Sequence, residues 1–190
     1  MKIGGESVHT FQVKSINDML LKLDWEIGQL QRSYISNAVD SLSMSSYFAI
    51  NGALTAFHIC DWIWHSGNES QRAIWGKGQK EGEPTKTNFQ LNLRDACPNL
   101  TVCREIANSF KHYAPDRHTD ETVKPASVWF TNFPARAGIA RAGDALNSPA
   151  AVVMISNGVD TLPVAHVLSV VHGYLEDFCE KHGLLGEING

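Results

Sequence analysis

Apolar residues recur at helical spacing through most of this chain. Ile16, Met19, Leu20, Leu23, Ile27 and Leu30 fall three and four apart, lining one side of a helix from about 15 to 32. Ser15, with Asp18 three residues later, has the order of a capping box with Asp in the usual place of Glu. Residues 35–65 read as a second, longer helix, apolar nearly all round from Ala49 onward. Such a helix belongs at the centre of a bundle. Gly67 ends it, and Asn68 caps a short polar helix in "ESQRAIWGKGQK". "GKGQKEGEPTKT" reads as a solvated loop. A short helix over 88–96 stops before Pro98. Asn99 then caps a helix from about 100 to 113, ended by Pro115.

Beyond that point the period changes. "APDRHTDETVKP" is a charged loop, and the β-branched and aromatic "SVWFTNF" reads as a strand. The Ala/Gly-rich "PARAGIARAGDALNSP" reads as an exposed excursion. A second strand, "AAVVMIS", meets "VDTLP" across Asn157-Gly158, a strong hairpin signal. The closing helix, about 163 to 183, carries Val164, Val167, Leu168, Val171, Leu175 and Phe178 on one stripe. Pro163 suits its first turn and Gly183 its end. The pattern predicts a mainly α protein. A helical bundle (about 15–113 and 163–183) carries a small antiparallel hairpin or sheet (about 127–162) inserted before the last helix. One domain over 1–190 is expected, because the last helix needs a partner for its stripe.

Composition narrows the class. At 190 residues and 43% hydrophobic content, the chain can bury a sizeable core. A formal charge of −4 argues against nonspecific coating of nucleic acid, which needs a basic face, though a local basic patch remains compatible. Cys60, Cys97, Cys103 and Cys179 include no CxxC pair, so free thiols in a reducing cytosol are expected rather than zinc. "MKIGGESVHT" lacks the apolar segment of a signal peptide. Asn51, His58 and Asp61 interrupt the longest apolar window, residues 47–64, which argues against a membrane span. A cytoplasmic protein is the expectation.

Polar residues inside the apolar helices are the candidate chemistry. His58, Asp61 and His65 stand at i, i+3 and i+7, as do Glu105, Asn108 and His112. At 100° per residue, each triplet falls within roughly 60° of arc. If the two stripes meet, Asp61 would accept from an imidazole or from Arg104 or Lys111, and Glu105 from His58 or His65. Pairing of this kind would raise the histidines' pKa, whereas burial alone would lower it. Three roles suit such a cluster. It could be a structural network joining two helices, since a stranded buried polar group costs about 1–3 kcal/mol. His58, Asp61 and His112 could hold one metal ion, the bridging carboxylates being too few for a di-iron site. The same groups could perform acid–base chemistry on RNA.

At "IANSFKH" the sequence resembles the HEPN superfamily of small helical bundles. The signature there is an Arg, usually followed by a polar residue such as Asn, with four to six residues separating the Arg from a His. Asn108 and His112 match the polar residue and the histidine. The arginine position is Ala107, and Arg104 lies one turn earlier, with seven residues before the histidine. The resemblance implies a metal-independent ribonuclease or an inactive, RNA-binding relative that needs no cofactor and forms a homodimer. His112, Asn108 and Arg104 are then the centre, with Glu105, His58 and Asp61 around them. The alternative is a non-catalytic, dimeric interaction protein using the Arg136/Arg141 loop or the hairpin.

Other patterns carry less. His166 and His172 are six apart on the last helix and share no face. "GKGQKEG" lacks the residue order of a P-loop and a preceding strand. There is no GxSxG elbow. Trp62 and Trp64 lie on different faces and read as core and boundary packing.

Overall fold

The computed structural model of the protein describes residues 11–34, 41–78, 82–111, 122–130 and 150–186. In order these form α1 (Ile16–Ser33), α2 (Ser41–Ser66), α3 (Glu69–Trp75), α4 (Lys86–Ala96) and α5 (Asn99–Lys111). β1 (Val123–Phe130), β2 (Ala150–Asn157), β3 (Thr161–Pro163) and α6 (Val164–Lys181) follow. The fold is mainly α, with a three-stranded antiparallel sheet inserted before the last helix, as the periodicity predicts. Residues 35–40, 112–115 and 131–149, Arg136 and Arg141 among them, carry predicted features that lie outside the described residues.

Local chemistry sets the helix ends. Ser15 Oγ accepts from the Asp18 amide at 3.1 Å, and Asp18 Oδ2 accepts from the Ser15 amide at 2.9 Å. That is the expected capping box. Asn68 and Gln71 form the same reciprocal pair at the start of α3. Two predicted starts move. Thr85 Oγ1 caps α4 by accepting from the Asn88 amide at 3.1 Å, so the helix begins at Lys86 rather than at 88. In α5, Leu100 and Thr101 already donate to the carbonyls of Cys97 and Pro98, so Asn99 is inside the first turn rather than capping it.

β1 pairs with β2 from Val123↔Asn157 to Phe130↔Ala150. Its first three residues fall in the stretch predicted as loop. Pro125, opposite Ile155, is tolerated because β1 is an outer strand of this sheet and β2 is the central one. The hairpin forms, one residue later than Asn157-Gly158 suggests. The Asn157 amide donates to the Asp160 carbonyl at 3.1 Å, leaving Gly158 and Val159 as the loop. Gly158, at φ +88°, supplies the positive φ that such a loop needs first. Asn157 Oδ1 then accepts from the Val159 and Asp160 amides.

Pro163 is the N-cap of α6. At the other end Gly183 N–H reaches the Glu180 carbonyl and Leu184 N–H the Cys179 carbonyl, with Gly183 at φ +65°. That Schellman closure folds Leu184 back onto the core.

The long helix α2 is central, packing against α1, α4, α5, α6 and β2. Small residues make this crowding feasible. A Cβ added to Gly52 would come within 2.6 Å of Leu168 Cδ1 on α6. Ser33 and Ser45 hydrogen-bond across the α1–α2 contact at 2.7 Å. Around these close approaches Leu23, Leu30, Ile59, Ile63, Leu168 and Leu175 are fully buried, each contributing about 1.5–3 kcal/mol of apolar transfer. A charged group joins them. Glu26 is buried against α2, and Lys22 bridges its carboxylate to Thr55 Oγ1.

A ring cluster ties the far end of α2 to α3, α4 and α6. Phe89 lies 5.5 Å from Trp64 and 5.7 Å from Trp75, and Phe178 lies 4.4 Å from His182, centroid to centroid. Trp64 therefore packs as its sequence context predicts. All four cysteines are free and buried. Among the described residues, no helix is long and apolar enough to cross a membrane.

Candidate functional site

Asp61 of α2 finds its partners on α4 rather than on α5. Lys86, Gln90 and Arg94 stand at i, i+4 and i+8 on α4, so they share one face beside the buried Phe89 and Leu93. Lys86 Nζ reaches Asp61 Oδ1 at 2.9 Å, and Gln90 Nε2 donates to the same oxygen at 2.8 Å. One turn on, Arg94 Nε donates to the Gln90 carbonyl at 3.3 Å. This stripe forms a polar seam running from Asp61 toward α5.

At the α5 end of the seam Glu105 is only 2% exposed and pairs with the guanidinium of Arg104. Arg94 feels both groups. Burial first, and the neighbouring Arg104 charge second, lower its pKa, while Glu105 opposes the shift. Arg104 pairs with the buried carboxylate, and Arg94 lies within reach of the charge of both. Asn108, half-buried, follows Glu105 by one turn, and Ala107 is buried in the core. An arginine in the usual motif position would have to bury its guanidinium where Ala107 now packs.

The predicted histidine cluster is not assembled by the described residues. His58 and His65 are exposed on the outer side of α2, and the hydrogen-bond donors to Asp61 come from α4 instead of from an imidazole. Glu105 bonds to neither His58 nor His65, because it is buried and they face water. The reason is rotational. His58 and His65 lie across α2 from its buried line of Ala49, Ala56 and Ile63, and Asp61 sits at the edge that α4 covers. His112 lies outside the described residues, as do its contacts. Among the described residues no three His, Cys, Asp or Glu side chains converge as metal ligands, so His58 and Asp61 alone represent that expectation. His166 is exposed, and His172 lies 3.8 Å from Glu176 on its own helix.

The site's chemistry follows from its donors. Arg94 and Arg104 present planar N–H groups suited to phosphate oxygens. Cys60 lies near, yet burial pushes its thiol up to about 12, so it supplies no thiolate nucleophile. The Lys86–Gln90–Arg94 stripe was detectable as an i, i+4, i+8 polar series. A helix read from 88 lacks its first member, Lys86. No family model, curated protein or solved structure matches this chain.

Proposed function

We propose that this chain is a divergent, HEPN-like RNA-binding protein whose phosphate contacts come from the α4–α5 seam. The observation that carries the reading is the ion pair of Arg104 with the buried Glu105, set beside the Lys86–Gln90–Arg94 stripe of α4. Arg94 and Arg104 lie near enough for the charge of one to act on the other, in a chain whose formal charge is −4. Neighbouring cationic side chains are what an RNA backbone contact needs. Asn108 stands one turn away to meet a base edge or a ribose hydroxyl. His112, four residues further along, is the proton-transfer group if RNA is cleaved. His58 and Asp61 fall outside this centre.

The test is binding of a labelled single-stranded RNA across a salt series, with Arg94→Gln and Arg104→Gln beside wild type. Each lost phosphate contact should flatten the log–log salt slope by about 0.7. Failure of wild type to bind at low salt overturns the proposal. RNA decay that His112→Ala abolishes identifies a nuclease, and binding without decay identifies a binding protein.

A second reading rests on a different surface. Leu21 (68% exposed) and Trp25 (56%) on α1 are exposed, as are Met44 and Tyr47 on α2, which neighbour the Phe48 that Trp25 meets, and exposed apolar side chains of this sort mark protein contacts. On this reading the chain is a non-catalytic, self-associating interaction protein, and the polar seam is structural.

A further inference from the structure

Helix α1 has two faces, and the outer one carries its own pattern. Asp18, Leu21, Trp25, Gly28 and Arg32 advance by three, four, three and four residues. That spacing places them along one line opposite the buried Leu23, Ile27 and Leu30, in the register of a two-helix seam. The line has an acid at one end, a base at the other and an aromatic ring in the middle.

The aromatic ring is held in place. Trp25 meets Phe48 edge-on, with centroids 6.2 Å apart and planes at 82°. With the Gln29 amide oriented to satisfy its neighbours, its oxygen accepts from Trp25 Nε1 at 3.2 Å and from Arg32 Nη2 at 2.6 Å. An exposed tryptophan fixed on both sides loses little side-chain entropy on binding, which suits it to anchor an interface.

We propose that α1 pairs with α1 of a second copy of this chain, antiparallel, about a two-fold axis at Trp25. This inference rests on the self-association reading and adds its surface and geometry. In that arrangement residues whose numbers sum to about 50 face each other. Trp25 meets Trp25 of the second copy, and Asp18 meets Arg32 of the second copy twice over. Leu21 packs over Gly28 of the second copy, whose bare Cα leaves room. Among the described residues, the atoms nearest the space a Cβ at Gly28 would fill belong to the flexible Arg32 side chain. Asp18 is also prepared for a second partner. The Lys14 amide and the Ser15 amide and hydroxyl all bond to its Oδ2, leaving Oδ1 for a cation.

Charge also selects the direction. A parallel pair would set Asp18 against Asp18 and Arg32 against Arg32, whereas the antiparallel pair alternates signs. Tyr47 and Met44, next to Phe48 on α2, extend the contact beyond the helix pair.

The experiment is sedimentation velocity of the full chain over a wide range of concentration, comparing wild type, Trp25→Ala and Arg32→Glu. Circular dichroism of each variant establishes that it folds. Wild type should form a dimer that Trp25→Ala weakens about thirtyfold or more, the loss expected of a central aromatic anchor. Arg32→Glu should weaken it about tenfold and, unlike wild type, should regain affinity as salt rises. The salt reversal distinguishes a charge across the interface from damage to the helix. A chain that stays monomeric overturns this proposal and the self-association reading together. A dimer indifferent to both substitutions overturns the α1 geometry alone and leaves self-association through another face.

Discussion

Asp61 Oδ1 lies 2.9 Å from Lys86 Nζ, and the same oxygen accepts from Gln90 Nε2 at 2.8 Å. An aspartate inside an apolar run thus pins α4 against α2. Its cation comes from the neighbouring helix, although His58 and His65 share its own. The Lys86 and Asp61 side chains are each about one-third exposed, at 38% and 35%, so water screens the pair. Lys86→Ala should therefore cost less than about 1 kcal/mol, and the loss should fade at high salt. Urea unfolding at two salt concentrations measures both. A salt-independent loss would mean that Lys86 acts through packing of its stem instead.

Lys22 should matter more. Its partner Glu26 has a side chain only 4% exposed, and among the described residues Glu26 Oε2 has no hydrogen-bond donor. Lys22→Met leaves that carboxylate uncompensated and should destabilise the fold by roughly 1–3 kcal/mol. Adding Glu26→Leu should recover most of the loss, because the pair is then replaced by apolar volume. Unfolding free energies of the two singles and the double form the required cycle.

His182 should make stability fall on acidification. Burial against Phe178 and Trp75, and then the Lys181 charge, lower its pKa below the ordinary histidine value. The folded state consequently binds fewer protons than the unfolded chain. Its contribution is full above the unfolded value near 6.5 and is lost as pH falls through the lower folded value. A carboxylate-paired histidine would show the opposite sense. His182→Phe keeps a ring in the cluster, so the stability of wild type relative to this variant should decline with acidification across that window. A difference that stays flat would refute the burial argument.

The cysteines should be silent in the native state. Burial pushes Cys60 and Cys179 up to about 12 and raises Cys97 and Cys103 as well. Thiol-reactive reagents at neutral pH should label them only at the rate at which the chain opens. Labelling kinetics against denaturant concentration would show this, and one fast-reacting thiol without denaturant would contradict it.

What was legible in the sequence was what a few neighbouring residues decide. Ser15 and Asp18, Asn68 and Gln71, and Gly183 with Leu184 each close a helix end through bonds that span under six residues. The apolar stripes of α1 and α6 likewise report their buried faces directly. The polar stripes were less readable, because a stripe gives spacing and not the identity of what faces it. His58, Asp61 and His65 share one side of α2, yet only Asp61 lies under α4. Strand β1 shows the same limit. Val123, Lys124 and Pro125 look like loop until β2 supplies the pairing that makes them strand.

The ring cluster gives the molecule a built-in optical report on two of its regions. Trp75, 6% exposed among Phe89, Phe178 and His182, senses an apolar surround, whereas Trp25, 56% exposed on α1, senses water. Emission from Trp75 should shift to the red when the α3–α4–α6 end loosens. Emission from Trp25 should shift to the blue when that surface becomes covered. The two shifts have opposite signs, so with Trp62, Trp64 and Trp129 replaced by Phe the direction of the shift tells loosening from association.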